Sequence, residues 1–308
     1  MERLDGGSVV PDRLRGGIIA LGNFDGFHLG HQAVAGRAIA WARAEGRPAL
    51  VATFDPHPVR YFQPDAPPFR LTTLDQRERL FGAAGADAMP VFQFDAALAG
   101  LTAEAFVAER LVANMGVAGV VTGEDFTFGK GRGGNVRVLA DLGRAHGFTV
   151  ETVGAVHQGE AAVSSSRIRD LLKAGRPRDA AALLTRPFAI QGVVQHGDKL
   201  GRTIGYPTAN IDMGSYLRPA YGIYAVRGRL ADGRVLDGAA NLGVRPTFDP
   251  PKELLEAYFF DFAEDLYGQT IEVELIEYLR PEAKFDSLDA LTAQMDADCA
   301  RAREVLAG

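Results

Sequence analysis

Gly22-Asn23-Phe24-Asp25-Gly26-Phe27-His28-Leu29-Gly30-His31 decides how the first half of this chain is read. The apolar run Ile18-Ile19-Ala20-Leu21 leads into it, and an apolar-periodic segment over residues 32–44 follows. That order predicts a strand, a glycine-rich turn and a helix. His28 and His31 stand three apart where the helix opens, so their imidazoles share a side of its first turn. Unsatisfied N–H groups and the positive dipole end favour an anion there. Gly26 and Gly30 let a ligand's phosphates come close to backbone. The chemistry this suggests is nucleotidyl transfer, in which a nucleophile attacks an NTP α-phosphate and pyrophosphate leaves.

Working outward, residues 1–185 alternate strand and helix patterns. Strands are predicted over 18–21, 49–54, 88–94, 117–122 and 148–153. Helices are predicted over 31–45, 74–84, 103–115, 136–145, 167–174 and 177–184. Such alternation implies an α/β, doubly wound and mostly parallel sheet, with ligands beyond the carboxyl ends of its strands. Thr53-Phe54-Asp55-Pro56-His57-Pro58 and Gly123-Glu124-Asp125-Phe126 fall at two further strand ends. Asp25 and Asp55 admit a metal reading or a rigid turn. Ser164-Ser165-Ser166-Arg167-Ile168-Arg169 precedes a helix. Its serines can cap the helix or donate to phosphate oxygens, and its arginines can offset charge. Gly129 to Gly134 match G-x-G-x-x-G by spacing, but they do not leave a strand directly, as a dinucleotide turn must. The P-loop pattern is absent from the sequence.

Near residue 186 the character changes. Short β-rich runs over 188–195, 222–229, 236–242, 255–260 and 271–279 predict a small antiparallel barrel. A closing helix over 287–305 carries Leu288, Leu291, Met295, Cys299 and Ala302 at three- or four-residue steps. The stretch from His196 to Asn210 holds three glycines at four-residue spacing, Gly197, Gly201 and Gly205, which admit phosphates to backbone. Lys199 and Arg202 add charge, and Thr208 and Asn210 offer oxygens of the kind Mg²⁺ accepts. Glu256 is a single carboxylate in the apolar run Leu255-Glu256-Ala257-Tyr258. Such a group either faces solvent or works in a pocket.

Bulk properties fit a soluble two-domain enzyme: 308 residues, 47% of them hydrophobic. A net charge of −6 makes no electrostatic case for nucleic acid or an anionic membrane. Cys299 is the one cysteine, which fits a reducing cytoplasm, and its helical setting reads as packing. No apolar run approaches 18 residues. Six histidines with no further close pairing argue against structural zinc. Lysine is absent before Lys130, so phosphate contacts in the first third fall to arginine, histidine or backbone amides.

His28-Leu29-Gly30-His31 resembles the HxGH signature of nucleotidyltransferases, and the longer stretch from Gly22 is similar to the opening of bacterial bifunctional riboflavin kinase/FAD synthetases. Thr53 to Pro58 resembles that family's TFDPHP, and Gly123 to Gly129 its GxDFxFG. Ser164 to Arg169 is similar to its S-S-T-R-I-R, with Ser166 in place of threonine. Gly205-Tyr206-Pro207-Thr208-Ala209-Asn210 resembles the flavokinase G-x-P-T-x-N, and Leu255-Glu256 its L-E-x-x element. The runs 238–247 and 265–268, with Arg280 and Phe285, also match in order and spacing. Thr185-Arg186-Pro187 departs where a glycine commonly precedes the arginine.

The resemblance implies a Rossmann-like nucleotidyltransferase domain over 1–185 that adenylylates FMN to FAD. It implies a riboflavin kinase barrel over 186–308 that makes FMN. His28, His31 and Glu256 would be catalytic. Gly22, Asn23, Phe24, Gly30, Ser164, Ser165 and Arg167 would hold the first ATP. Gly197, Lys199, Gly201, Gly205 and Pro207 would hold the second. Asp125, Phe126, Phe128 and Arg245 would face flavin, and Thr208 and Asn210 would bind Mg²⁺. The implied partners are riboflavin, FMN and ATP, with no nucleic acid or membrane; a homo-oligomer stays open. Two rival readings are a flavin-binding regulator without catalysis and an enzyme with one live activity on another acceptor. The intact His28, His31 and Glu256 speak against the first, and the C-terminal kinase motif against the second.

Overall fold

The computed structural model describes residues 1–196, 205–245 and 252–308. The chain forms two compact units: residues 1–67 with 73–164, and residues 68–72 with 165–308.

The first unit is built on six strands, β1 (Glu2–Asp5), β2 (Ile18–Leu21), β3 (Ala49–Asp55), β4 (Ala88–Gln93), β5 (Gly119–Gly123) and β6 (Thr149–Val153). Their order is β1-β4-β3-β2-β5-β6, and every pairing is parallel. β2 is fully buried, because both faces of the sheet are covered. Ile18 and Ala20 pack on one face against α1 (Leu29–Ala44) through Val34, Ala35 and Ala38. Ile19 and Leu21 pack on the other against Phe106, Leu111 and Leu139. The predicted doubly wound α/β sheet is therefore present. β1 and its place at the sheet edge were not anticipated. α2 (Leu74–Ala84) opens on a capping box between Thr73 and Gln76. The predicted helix over 103–115 is instead one α-turn, Ala103–Phe106, that widens into a π-helical stretch, Val107–Asn114. α3 (Val136–His146) is capped by Asn135, whose Oδ1 accepts from the N–H groups of Arg137 and Val138.

The second unit opens with α4 (Ser165–Lys173) and α5 (Pro177–Leu184). Its six antiparallel strands are β7 (Phe188–Val193), β8 (Ala209–Asp212), β9 (Gly222–Arg229), β10 (Val235–Arg245), β11 (Lys252–Phe259) and β12 (Thr270–Arg280). The order is β7-β12-β9-β10-β11-β8. A bridge between Gln195 and Asn210 nearly closes it into a barrel. α6 (Leu288–Ala307), capped by Ser287, packs on the strands through Ala302 and Leu306. Residues 68–72 join this unit through Arg70, which bridges to Tyr216. The compact division thus falls after Ser164, ahead of the composition change near 186, because α4 and α5 bury Ile168, Leu172, Leu183 and Leu184 within the barrel unit.

Candidate functional site

In the first unit β2 lies where the strand order reverses, with β3 on one side and β5 on the other. That is where a ligand crevice opens in a doubly wound sheet. The chain leaves β2 through a turn with positive φ at Phe24 (49°), Gly26 (87°) and Phe27 (43°). Non-glycine residues hold such angles only when their surroundings enforce them. Here Phe24, Phe27 and Phe81 pack edge-on with one another in the core. The Phe24 ring folds back over Gly22, where an added Cβ would lie 3.2 Å from it.

A second anchor is polar and escaped the sequence reading. Arg77, 1% exposed near the start of α2, reaches under the turn. Its guanidinium donates to Asp25 Oδ1 at 3.1 Å and to Thr53 Oγ1 at 3.0 Å, and the Thr53 hydroxyl donates to the Asn23 carbonyl at 2.7 Å. Asp25, which admitted a metal reading, is therefore half of a buried ion pair. The available signal was Arg77 at the i+3 position between Leu74 and Phe81, on the buried stripe of the helix.

Past the turn, His28 is the N-cap of α1, and its Nδ1 accepts from the His31 N–H at 3.4 Å. That role puts the ring proton of neutral His28 on Nε2, which becomes a donor. The His28 and His31 rings stack, with centroids 3.7 Å apart and planes 19° from parallel. His31 also meets the edge of Phe24 at 5.3 Å. Gly30 is needed for this approach: a Cβ there would sit 3.2 Å from the His28 ring and 3.5 Å from the Val163 carbonyl. The structure thus brings Gly22, Asn23, Gly30, His28, His31 and the residue before Ser164 together. Phe24 enters through its backbone, its ring being core. Asn23 Oδ1 is buried without a hydrogen-bond partner.

Beside this turn, the loop after β5 exposes Asp125 and stacks Phe126 on Phe128 at 5.6 Å. Phe128 is buried against Phe106. Thr127–Phe128 pairs antiparallel with Gly134–Asn135, so residues 129–134 close a small hairpin and form no dinucleotide turn. At the ends of β3 and β4, Phe54, Phe92 and Phe94 carry Tyr61 and Phe62 above them, the last 65% exposed. Asp55 ends β3, and His57 caps the short helix Pro58–Phe62 by accepting from the Val59 N–H. Ser165 and Arg167 open α4 in the second unit, where Arg169 donates to the Phe69 carbonyl and lies over its ring.

In the barrel unit the register aligns three polar side chains. Asn210 on β8 pairs with Glu256 on β11, which pairs with Asn241 on β10. Directly opposed residues share a face, with Cβ atoms about 4.5–5.5 Å apart. Asn210 is buried, Glu256 and Asn241 are partly so, and Thr208 lies two residues before Asn210. Asn241 Oδ1 is a buried atom with no hydrogen-bond partner. Tyr258 and Phe260 continue the face of Glu256 and line a cavity of about 540 Å³, with Gly205, Tyr206, Asp296 and Cys299 around it. The Tyr206 hydroxyl donates to Asp296, which ties the Gly205–Thr208 segment to α6. Burial, together with Asp298 and Asp296, pushes the Cys299 thiol up to about 11, so it stays protonated at neutral pH. Gly197, Lys199 and Gly201 lie outside the described residues, as does the Arg245 side chain. Among the described residues no cluster of three His, Cys, Asp or Glu could hold a metal, and no helix is long and apolar enough to cross a membrane.

Comparison with known proteins assigns a family to each half of the chain. The FAD synthetase family model matches residues 10–167 and the riboflavin kinase model residues 184–306. The chain is 39% identical over 289 residues to the bifunctional riboflavin kinase/FMN adenylyltransferase of Escherichia coli (strain K12), covering 94% of this chain and 92% of that one. It is 40% identical to the protein of the same name from Pseudomonas fluorescens, covering 95% and 94%. A crystal structure from Streptococcus pneumoniae, titled a macrolide-efflux protein, superposes with a TM-score of 0.85 at 31% identity and 97% coverage of both chains. With two matching domain models in the matching order and relatives aligned along nearly its whole length, the chain belongs to the bifunctional riboflavin kinase/FMN adenylyltransferase family of transferases.

Proposed function

We propose that riboflavin is phosphorylated at Glu256, within a kinase domain over 186–308, and that the FMN formed is adenylylated at the His28/His31 turn of a Rossmann-like nucleotidyltransferase domain over 1–185. The observation that carries the kinase half is Glu256 set between Asn210 and Asn241, within the apolar run 254–259 of its strand. Its carboxylate takes the proton of the riboflavin 5′-hydroxyl as that oxygen attacks the γ-phosphorus of ATP, and ADP leaves. The aromatic cavity beside it suits the flavin ring. Gly197, Lys199, Gly201, Gly205 and Pro207 are assigned to ATP on their motif, and Arg245 to flavin.

Thr208 and Asn210 present a hydroxyl and an amide, neutral oxygens that suit Mg²⁺ only when phosphate oxygens and water complete its shell. Bound there, the ion would neutralise charge on the transferring phosphate. In the first domain an FMN phosphate oxygen attacks the ATP α-phosphorus and pyrophosphate leaves. His28 and His31 donate to the phosphate oxygens, with the first-turn N–H groups of α1 behind them. Gly22, Asn23, Phe24 and Gly30 shape the backbone cradle; Ser164, Ser165 and Arg167 add donors to the triphosphate. Asp125, Phe126 and Phe128 border the flavin. We place the enzyme in the cytoplasm, where its three substrates occur together, and it engages neither nucleic acid nor membrane.

The pure protein incubated with riboflavin, ATP and Mg²⁺ yields FMN and then FAD, read by separating the flavins. Glu256→Gln abolishes FMN formation, a loss of about 10²–10⁴, while FAD formation from supplied FMN continues. Unchanged kinase turnover in this variant removes Glu256 from the mechanism.

A further inference from the structure

We propose that Asn241 is a substrate-binding residue of the kinase site, and that its side-chain amide accepts a hydrogen bond from the ribityl chain of riboflavin. The inference rests on the kinase role proposed for Glu256. Asn241 stands directly opposite Glu256 across the β10–β11 pair, and Glu256 stands directly opposite Asn210 across β11–β8. All three side chains project from one face of the sheet. Asn241 Oδ1 is buried yet has no hydrogen-bond partner, although buried polar atoms of folded proteins are nearly always paired. On its other side Asn241 faces Ile223 of β9, which offers no donor. Within the protein the amide oxygen is thus left open to a donor carried by a ligand.

The chemistry of the gap selects the ligand. A phosphate group of ATP brings only acceptors at neutral pH and does not satisfy a carbonyl oxygen. A polyhydroxyl chain brings donors. Glu256, one strand away, addresses the terminal hydroxyl of that same chain. With its Cβ about 5 Å from the Glu256 Cβ, Asn241 is set for a neighbouring hydroxyl, fixing the chain so that its end reaches the carboxylate. Asn241 is thereby the residue that distinguishes a flavin with a ribityl chain from one without it, since an acceptor left buried and unpaired penalises the ligand that fails to fill it.

The test compares Asn241→Val with Asn241→Thr in the full chain. Both residues are β-branched and suit a strand, and they differ by one hydroxyl in place of a methyl. Riboflavin phosphorylation gives KM for riboflavin and for ATP. Lumiflavin, which carries a methyl group where riboflavin carries its chain, gives an inhibition constant at the same site. Asn241→Val raises the riboflavin KM roughly ten- to a hundredfold, in keeping with one lost hydrogen bond in a buried site. It leaves the ATP KM and the lumiflavin constant within about twofold. Asn241→Thr, with an acceptor restored, recovers part of the riboflavin loss. Equal weakening of riboflavin and lumiflavin, a rise confined to ATP, or identical behaviour of the two variants overturns the proposal. FMN adenylylation and the melting temperature, measured on each variant, report folding. Glu256→Gln run alongside separates the two claims. If it leaves kinase turnover intact, the site reading fails; if it abolishes turnover while Asn241→Val leaves the riboflavin KM unchanged, only the role of Asn241 fails.

Discussion

His28 and His31 sit with their rings 3.7 Å apart at the opening of α1, in a unit whose first 129 residues contain no lysine. In the proposed adenylyl transfer, charge developing on the ATP α-phosphate would meet these imidazoles and the helix N–H groups. His28→Ala and His31→Ala should each lower FAD formation by roughly 10²–10³ in turnover, as loss of one preorganised donor does. Riboflavin phosphorylation in the same samples should continue. If both activities fall together, the histidines are structural; if neither falls, they do not act on phosphate. Arg77 supports the same turn from below. Removing one member of a buried pair takes the counter-charge from the other, at a cost of about 3–5 kcal/mol. Arg77→Met should therefore lower the melting transition of the first unit and FAD formation with it, and Asp25→Asn added to it should recover stability. A double variant no more stable than the single one would show that the pair is not the source. The histidines were legible in sequence because their signal is local, two rings three residues apart on a helix start. Arg77 was not, because a buried arginine makes sense only beside Asp25, 52 residues away.

Elements were legible where burial imposed a period. β2 reads as four consecutive apolar residues because a central parallel strand is covered on both faces. α1 starts two residues before its predicted start at 31, since the cap is His28 itself, a residue type outside the usual serine, threonine, aspartate and asparagine. β1 was missed because an edge strand of Glu2-Arg3-Leu4-Asp5 is charged on its exposed positions and carries almost no apolar signal. β8 was missed for a related reason. In Ala209-Asn210-Ile211-Asp212 only Ala209 and Ile211 face the barrel interior, and Asn210 turns to the face of Glu256. The polar residue that hides the strand from a hydrophobic count is the one assigned to the proposed site. The aromatic group at the ends of β3 and β4 was invisible for a different reason, since Phe54, Phe62 and Phe94 converge only after the parallel pairing forms.

At the scale of the molecule, composition shifts near residue 186 but compactness divides after Ser164. The difference is carried by α4 and α5. Ile168, Leu172, Leu183 and Leu184 are buried, and all four belong to the barrel unit. Ala220 donates its N–H to the Leu172 carbonyl at 3.0 Å, and Arg178 pairs with Glu277 on β12. A barrel cut at residue 186 loses these contacts and exposes the surface they cover. Full burial of a leucine or isoleucine stabilises by about 1.5–3 kcal/mol. Four such side chains make an upper bound that the ordering entropy of two short helices reduces. A fragment 165–308 should therefore exceed a fragment 186–308 in unfolding free energy, read from urea midpoints at equal protein concentration. Both should bind riboflavin if they fold, because Asn210, Asn241 and Glu256 lie on β8, β10 and β11 in either fragment. The shorter piece should also bind a dye for exposed apolar surface, and the longer one should not. Equal midpoints would mean that α4 and α5 rest on the barrel without stabilising it, and that the kinase unit is complete from residue 186 onward.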